Sequence, residues 1–117
     1  MDAKELGRAG EQIAAKLLSL KGFVILETNF VCPLGEVDII ADRGGTRYCV
    51  EVKARSSAQF GRPVEAVGGG KQQRLRRLAE YYMVANRYRG PIAFGVIGVI
   101  HHPLERRFSA HLIEHAF

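Results

Sequence analysis

Two segments of alternating character, residues 36–42 and 47–53, constrain the fold of this chain more than any other feature. In both segments apolar side chains recur at every second position, as they do in a half-buried β-strand. Gly44 and Gly45 lie between the segments, and a glycine pair favours a tight hairpin turn because glycine adopts positive φ without strain. The sequence therefore predicts an antiparallel hairpin.

The length of the predicted turn determines which side chains of the hairpin face each other. A turn over the two glycines and a turn over four residues both pair Asp42 with Arg47. Counting back from that pair places Asp38 directly opposite Glu51. A turn of three or five residues would shift the pairing by one residue and separate these two carboxylates. The same count pairs Glu36 with Lys53 on the face that carries Asp38 and Glu51. On the opposite face it pairs Val37 with Val52 and Ile39 with Val50, so that face is apolar.

Opposed carboxylates at Asp38 and Glu51 are unfavourable on neighbouring strands unless water, a proton or a cation offsets their charge. Two carboxylates with an open coordination sphere suit Mg²⁺ or Mn²⁺. Lys53 lies two residues after Glu51, where it would position an attacking water and offset charge on a phosphate. The three residues predict metal-assisted phosphodiester hydrolysis. The alternative is an ordinary solvated strand face.

Residues 2–21 are predicted to form a helix, because apolar side chains recur there at helical spacing. Glu11 lies at the margin of the apolar stripe, where its carboxylate would face the charged side of the sheet. Small residues such as Gly10 would let the helix approach closely. Glu11 is therefore a candidate member of the site, although an ordinary boundary glutamate fits equally well. The predicted stripe consists of Leu6, Ile13, Leu17 and Leu20.

The remaining pattern predicts one domain over residues 1–117, because a chain of 117 residues suffices for a single core. The element order is αβββαββ, which indicates an α/β fold with one sheet flanked by helices. A second helix at 71–87 would bury one face. That face consists of Leu75, Leu78, Ala79 and Tyr82. Strands are predicted at 23–27, 36–42, 47–53, 91–100 and 107–113, and loops at 28–34 and 56–70.

Basic residues exceed acidic ones, with 17 Lys and Arg against 12 Asp and Glu and a formal net charge of +5. This excess favours an anionic partner, which could be nucleic acid, a membrane surface or a phosphorylated ligand. Arg55 extends the Lys53 side of its strand, while Lys71 and Arg74 open the second helix after a glycine run. We expect these three cations to contact backbone phosphates.

Other classes of protein are disfavoured by the composition. The longest apolar run, residues 92–100, is interrupted by Gly95 and Gly98 and is too short to span a membrane. No signal-type segment opens the chain. Cys32 and Cys49 lack the spacing of metal ligands and are expected to be reduced thiols. We therefore expect a cytoplasmic protein that has no membrane partner.

Together these residues resemble the YraN-type family of small bacterial proteins, within the PD-(D/E)XK, or restriction-endonuclease-like, superfamily. Val37 stands where the superfamily motif has proline, and 31–34 replaces a loop that is often basic in relatives. Residues 93–95 stand where relatives often have Arg-Phe-Asp. The resemblance covers nearly the whole chain. It rests on Gly10-Glu11, on residues 35–40 and 50–55, and on Phe60-Gly61, Lys71-Gln72 and Ala116-Phe117.

The resemblance implies a restriction-endonuclease-like αβββαβ core and a divalent metal, Mg²⁺ or Mn²⁺. By similarity, Asp38 and Glu51 are metal ligands, Glu11 is an added acidic ligand and Lys53 is the catalytic lysine. Gln72 is expected to line the site. The arrangement is also similar to archaeal Holliday-junction resolvases, which favours DNA, including branched DNA, as the substrate.

The predicted function is therefore a metal-dependent DNA endonuclease. One alternative is a nucleic-acid-binding module of the same fold without catalysis. Another is an interaction protein whose apolar strand at 92–100 pairs with a partner. A resolvase-like role would require a two-fold dimer, because a DNA junction is symmetric.

Overall fold

The structure of the protein is a computed structural model, and it describes residues 1–57 and 69–117. The predicted αβββαββ order is confirmed. The Phe60-Gly61 motif and most of the predicted loop at 56–70 lie outside the described residues. The elements are α1 (Ala3–Leu20), β1 (Val24–Cys32), β2 (Gly35–Arg43), β3 (Thr46–Ser56), α2 (Gly69–Ala85), β4 (Ile92–His102) and β5 (Arg107–Ile113).

The five strands form one mixed sheet in the order β1-β2-β3-β4-β5. All neighbouring strands are antiparallel except β3 and β4, which are parallel and are connected through α2. The alternative in which the strand at 92–100 pairs with a partner is contradicted over most of its length, because β3 pairs along residues 92–101 and β5 along residues 96–102. No helix in the described ranges is long and apolar enough to cross a membrane.

Each helix covers one side of the sheet with its own apolar core. On the α1 side, Leu18 packs in a cluster with Ile39 and Val50. On the α2 side, the predicted helix face is confirmed, since Leu75, Leu78, Ala79 and Tyr82 are all buried. The protein is therefore an α/β protein with helices on both sides of a mixed sheet.

The hairpin between β2 and β3 has the predicted turn. Gly44 and Gly45 both have positive φ, 59° and 80°, as a two-residue hairpin turn of type I′ requires. Pairing follows the predicted register from Arg43–Thr46 to Ile39–Val50 and ends there. The predicted pairs of Asp38 with Glu51, Val37 with Val52 and Glu36 with Lys53 do not continue this ladder.

The β2–β3 ladder ends because each strand continues to pair with its neighbour on the other side. β2 stays paired with β1 as far as Gly35, and β3 stays paired with β4 as far as Ser56. The predicted alternation also breaks here. Val37 packs on the α2 side with Ile40, whereas Ile39 packs on the α1 side. A gap between β2 and β3 therefore opens at Asp38.

The predicted stripe on α1 is confirmed in part: Ile13 and Leu17 are half-buried against the core, but the most deeply buried face lies one position further along the helix. The buried residues of the helix are Gly10, Ala14 and Leu18, whereas Leu20 is 77% exposed. Small residues face the sheet because the helix lies very close to β3. A Cβ atom at Gly10 would lie 2.8 Å from the Cβ atom of Ala54. The close approach brings the following residue, Glu11, to the sheet.

β1 is longer than predicted, because β2 pairs with it throughout the segment that was expected to be a loop. Residues 28–32 belong to the strand, and Pro33 and Leu34 form the turn. Within the strand, Asn29 has a φ of 56°, and no backbone pair joins it to Asp38. Asn tolerates this left-handed conformation better than most residues.

Candidate metal centre

Asp38 lies at the point where β2 leaves β3, and a backbone contact holds its carboxylate in the gap. The N–H of Val52 donates a hydrogen bond to Asp38 Oδ2 at 2.8 Å. Beyond Val50 this edge of β3 has no backbone partner on β2, so the carboxylate supplies the acceptor that the ladder no longer provides. The orientation of Asp38 therefore follows from the separation of the strands.

Three carboxylates converge at this point, and we call Glu11, Glu36 and Asp38 the acidic cluster. One oxygen atom of each residue lies within 4.8 Å of the other two. Glu36 and Asp38 come from β2, and Glu11 comes from α1. The predicted meeting of Glu11 with Asp38 is thus present, and Glu36 is an additional member that sequence reasoning placed opposite Lys53.

Asn29 links two members of the acidic cluster. With its amide nitrogen turned towards the acids, Asn29 donates to Glu11 Oε1 at 2.7 Å and to Glu36 Oε1 at 2.6 Å. Sequence reasoning missed Asn29 because it lay in a segment that was expected to be a loop. The available signal was the polar pair Thr28-Asn29 within an otherwise strand-like run from Val24 to Cys32.

Burial and the charges of neighbouring carboxylates raise the pKa of Asp38 and of Glu11. Burial is the main cause that raises the pKa of Asp38 to about 6, and the charges of Glu11, Glu36 and Glu51 add to it. The hydrogen bond from Val52 opposes this shift. Burial, followed by the charge of Glu36, also raises the pKa of Glu11. A cation at the cluster would reverse these effects by favouring the ionised carboxylates.

Glu51 is not a member of the acidic cluster and forms an ion pair with Lys71. Its Oε1 atom is 2.5 Å from Lys71 Nζ, and its side chain is 18% exposed. Its Oε2 atom is buried and has no hydrogen-bond partner in the part of the chain that the structure describes. Asp38 and Glu51 line the same cavity of about 240 Å³, so the two predicted ligands share a space without facing each other across a ladder.

Basic residues lie at the margins of the site. Arg74 is exposed and lines the cavity that Asp38 shares with Glu51. Arg55 is exposed and lines a second cavity, of about 610 Å³, together with Glu11 and Asp38. Lys53 is half-buried and forms no ion pair with any residue in the described ranges. Gln72 is half-buried on the first turn of α2.

The fold and the site together define a class: an α/β protein with a mixed sheet and a carboxylate-lined opening beside two neighbouring strands. Comparison with known proteins narrows this class to one family. Residues 10–100 match the family described as "Uncharacterised protein family UPF0102". The chain belongs to this family, which confirms the YraN-type family predicted from the sequence.

Two relatives show how completely the family covers the chain. The UPF0102 protein of Moorella thermoacetica is 43% identical over 118 residues, covering 100% of this chain and 98% of its own length. The UPF0102 protein of Caldicellulosiruptor saccharolyticus is 42% identical over 118 residues, covering 100% of both chains. The similarity therefore includes all the elements that build the acidic cluster.

Proposed function

We propose that this protein is a metal-dependent endonuclease that hydrolyses phosphodiester bonds in DNA. In this proposal, α1 to β4 form a restriction-endonuclease-like αβββαβ core to which β5 is added. The observation that carries the proposal is the position of Asp38. Its carboxylate is bound by the Val52 amide at 2.8 Å and has two further carboxylates within 4.8 Å.

The donor atoms fit a hard divalent cation. The acidic cluster supplies oxygen atoms only, which Mg²⁺ and Mn²⁺ prefer. The buried Oε2 atom of Glu51 has no partner among the described residues, and a buried polar atom of this kind calls for a ligand. Asp38, Glu11 and Glu51 would hold the cation, with Glu36 beside them. The bound cation would supply Lewis acidity and an activated water.

The basic side chains have distinct roles in the proposal. Lys53, two residues after Glu51 on β3, orients the attacking water or the scissile phosphate. Arg55 and Arg74 line the two cavities that share Asp38, so a phosphate backbone that contacted both would pass over the cluster. Lys71 and Gln72 lie on the first turn of α2 and complete the phosphate-facing side.

Cleavage by the full-length protein tests the proposal. Supercoiled plasmid and synthetic four-way junctions are incubated with Mg²⁺ or Mn²⁺, because a resolvase-like dimer would favour the junction. We expect nicking that requires the cation and is lost in Asp38→Asn. Glu80→Gln is the matched control, since Glu80 is exposed on α2 and is not part of the acidic cluster. A protein that binds DNA salt-sensitively but never cuts it would contradict the proposal.

A second candidate function is a nucleic-acid-binding module without catalysis. The observation that favours it is the ion pair between Glu51 and Lys71, which already compensates the charge of one predicted ligand. In this case Arg55→Gln should weaken DNA binding, whereas Asp38→Asn should leave it unchanged or strengthen it. Cation-dependent cleavage by the wild type would exclude this alternative.

A further inference from the structure

The ion pair between Glu51 and Lys71 joins a predicted metal ligand to a predicted phosphate-binding residue. The distance from Glu51 Oε1 to Lys71 Nζ is 2.5 Å, and the two side chains are 18% and 31% exposed. The pair also joins two elements, because Glu51 lies in β3 and Lys71 in α2. Both charged groups are therefore partly shielded from water. Removing either one would leave the other partly desolvated and without a counter-ion.

The position of Lys71 in its helix is electrostatically unfavourable without Glu51. Lys71 is the third residue of α2, and the first turn of this helix contains no acidic residue. The partial positive charge of a helix N-terminus disfavours a cation there. Glu51 provides the compensating negative charge from the neighbouring strand. The same ion pair uses only one oxygen atom of Glu51 and leaves Oε2 buried without a partner among the described atoms.

We propose that Lys71 is an internal counter-ion that competes with the divalent cation for Glu51; this inference rests on the proposed function. Lys71 and a divalent cation at the same carboxylate would repel each other across a poorly solvated space. Binding of the cation therefore releases Lys71 from Glu51. The flexible stem of lysine then lets its ammonium group move to a DNA phosphate. In this scheme Lys71 affects the cation only through Glu51, whereas it contacts the DNA phosphate directly.

Metal affinity without DNA tests the competition directly. Mn²⁺ is titrated into the full-length wild type, Lys71→Gln and Arg77→Gln, with heat and the Mn²⁺ electron paramagnetic resonance signal as readouts. We expect Lys71→Gln to bind Mn²⁺ about two- to fivefold more tightly, the effect of losing an ion pair of ordinary strength. Arg77→Gln removes the same charge from an exposed position on α2 and should leave the affinity unchanged.

Thermal stability provides the second readout. Without metal, Lys71→Gln should have a lower Tm than Arg77→Gln, because Glu51 loses its counter-ion. Saturating Mn²⁺ should raise the Tm of Lys71→Gln more than that of the wild type. Equal or weaker Mn²⁺ binding by Lys71→Gln would overturn the competition alone and leave the metal centre standing. If none of the proteins bound Mn²⁺, both the metal centre and this inference would be overturned.

Discussion

The backbone N–H of Val52 donates a hydrogen bond to the carboxylate of Asp38 at 2.8 Å, at the point where β2 and β3 separate. A backbone donor has no rotamer freedom of its own, so the position of Asp38 is determined by the strands and not by a second flexible side chain. The same bond lowers the pKa of Asp38, while burial and three neighbouring carboxylates raise it by more. Asp38 is thus fixed in place but electrostatically unfavourable without a cation.

The charge of Asp38 should make the stability of the metal-free protein depend on pH. Its pKa rises from 3.8 to about 6 on folding, so between these pH values the native state binds more protons than the unfolded state. The contribution of Asp38 to the free energy of unfolding therefore falls as the pH rises through this interval. Asp38→Asn lacks this titration. As the pH rises through the interval, its free energy of unfolding should therefore increase relative to that of the metal-free wild type, by on the order of 1 kcal/mol after allowing for solvent screening.

Urea unfolding of both proteins at pH values from 4 to 7.5, with a chelator present, measures this difference. Asp38→Ala is the control, because it removes the charge together with the acceptor of the Val52 amide and should be less stable than Asp38→Asn. A stability difference between the wild type and Asp38→Asn that did not change with pH would contradict the prediction.

The close approach of α1 to β3 requires glycine at position 10. A Cβ atom at Gly10 would lie 2.8 Å from the Cβ atom of Ala54, too close for either to stay in place. Gly10→Ala should therefore destabilise the protein by about 1–3 kcal/mol, as overpacking does, and should move Glu11 away from Asp38. Urea unfolding measures the first effect, and weaker Mn²⁺ binding reports the second.

Gly7→Ala on the same helix is the matched control for Gly10→Ala. A Cβ atom at Gly7 would meet nothing within 4 Å among the described atoms. Alanine is also the better helix former by up to about 1 kcal/mol, so Gly7→Ala should be neutral or stabilising. Equal stability of the two variants would show that the helix adjusts without cost, and the proposed positioning of Glu11 would be wrong.

These residues also show how far the sequence could predict the site. The Gly44-Gly45 turn gave the correct register as far as Ile39–Val50, because turn geometry acts locally. The count failed at Asp38, since it assumed that β2 and β3 stay together. Whether they do depends on pairing with β1 and β4, which hairpin spacing does not encode. Glu11 was correctly brought to Asp38, because small residues on one helix face are visible in the sequence.

With its amide nitrogen turned towards the acids, Asn29 would bridge Glu11 and Glu36 at 2.7 and 2.6 Å, and substitution at Asn29 tests this bridge. Asn29→Asp keeps a side chain that tolerates the φ of 56° but places a fourth carboxylate against the acidic cluster. Without metal this variant should be destabilised by about 1–2 kcal/mol, because a donor becomes a repelling charge. Saturating Mn²⁺ should recover most of the loss.

Thermal unfolding with and without Mn²⁺ measures both effects of Asn29→Asp. Asn29→Gly is the control, since it keeps the backbone conformation and removes the amide without adding charge. Asn29→Gly should lose less stability than Asn29→Asp in the absence of metal, and Mn²⁺ should narrow the gap between them. If Asn29→Asp were as stable as the wild type without metal, Asn29 would not be bridging the two glutamates.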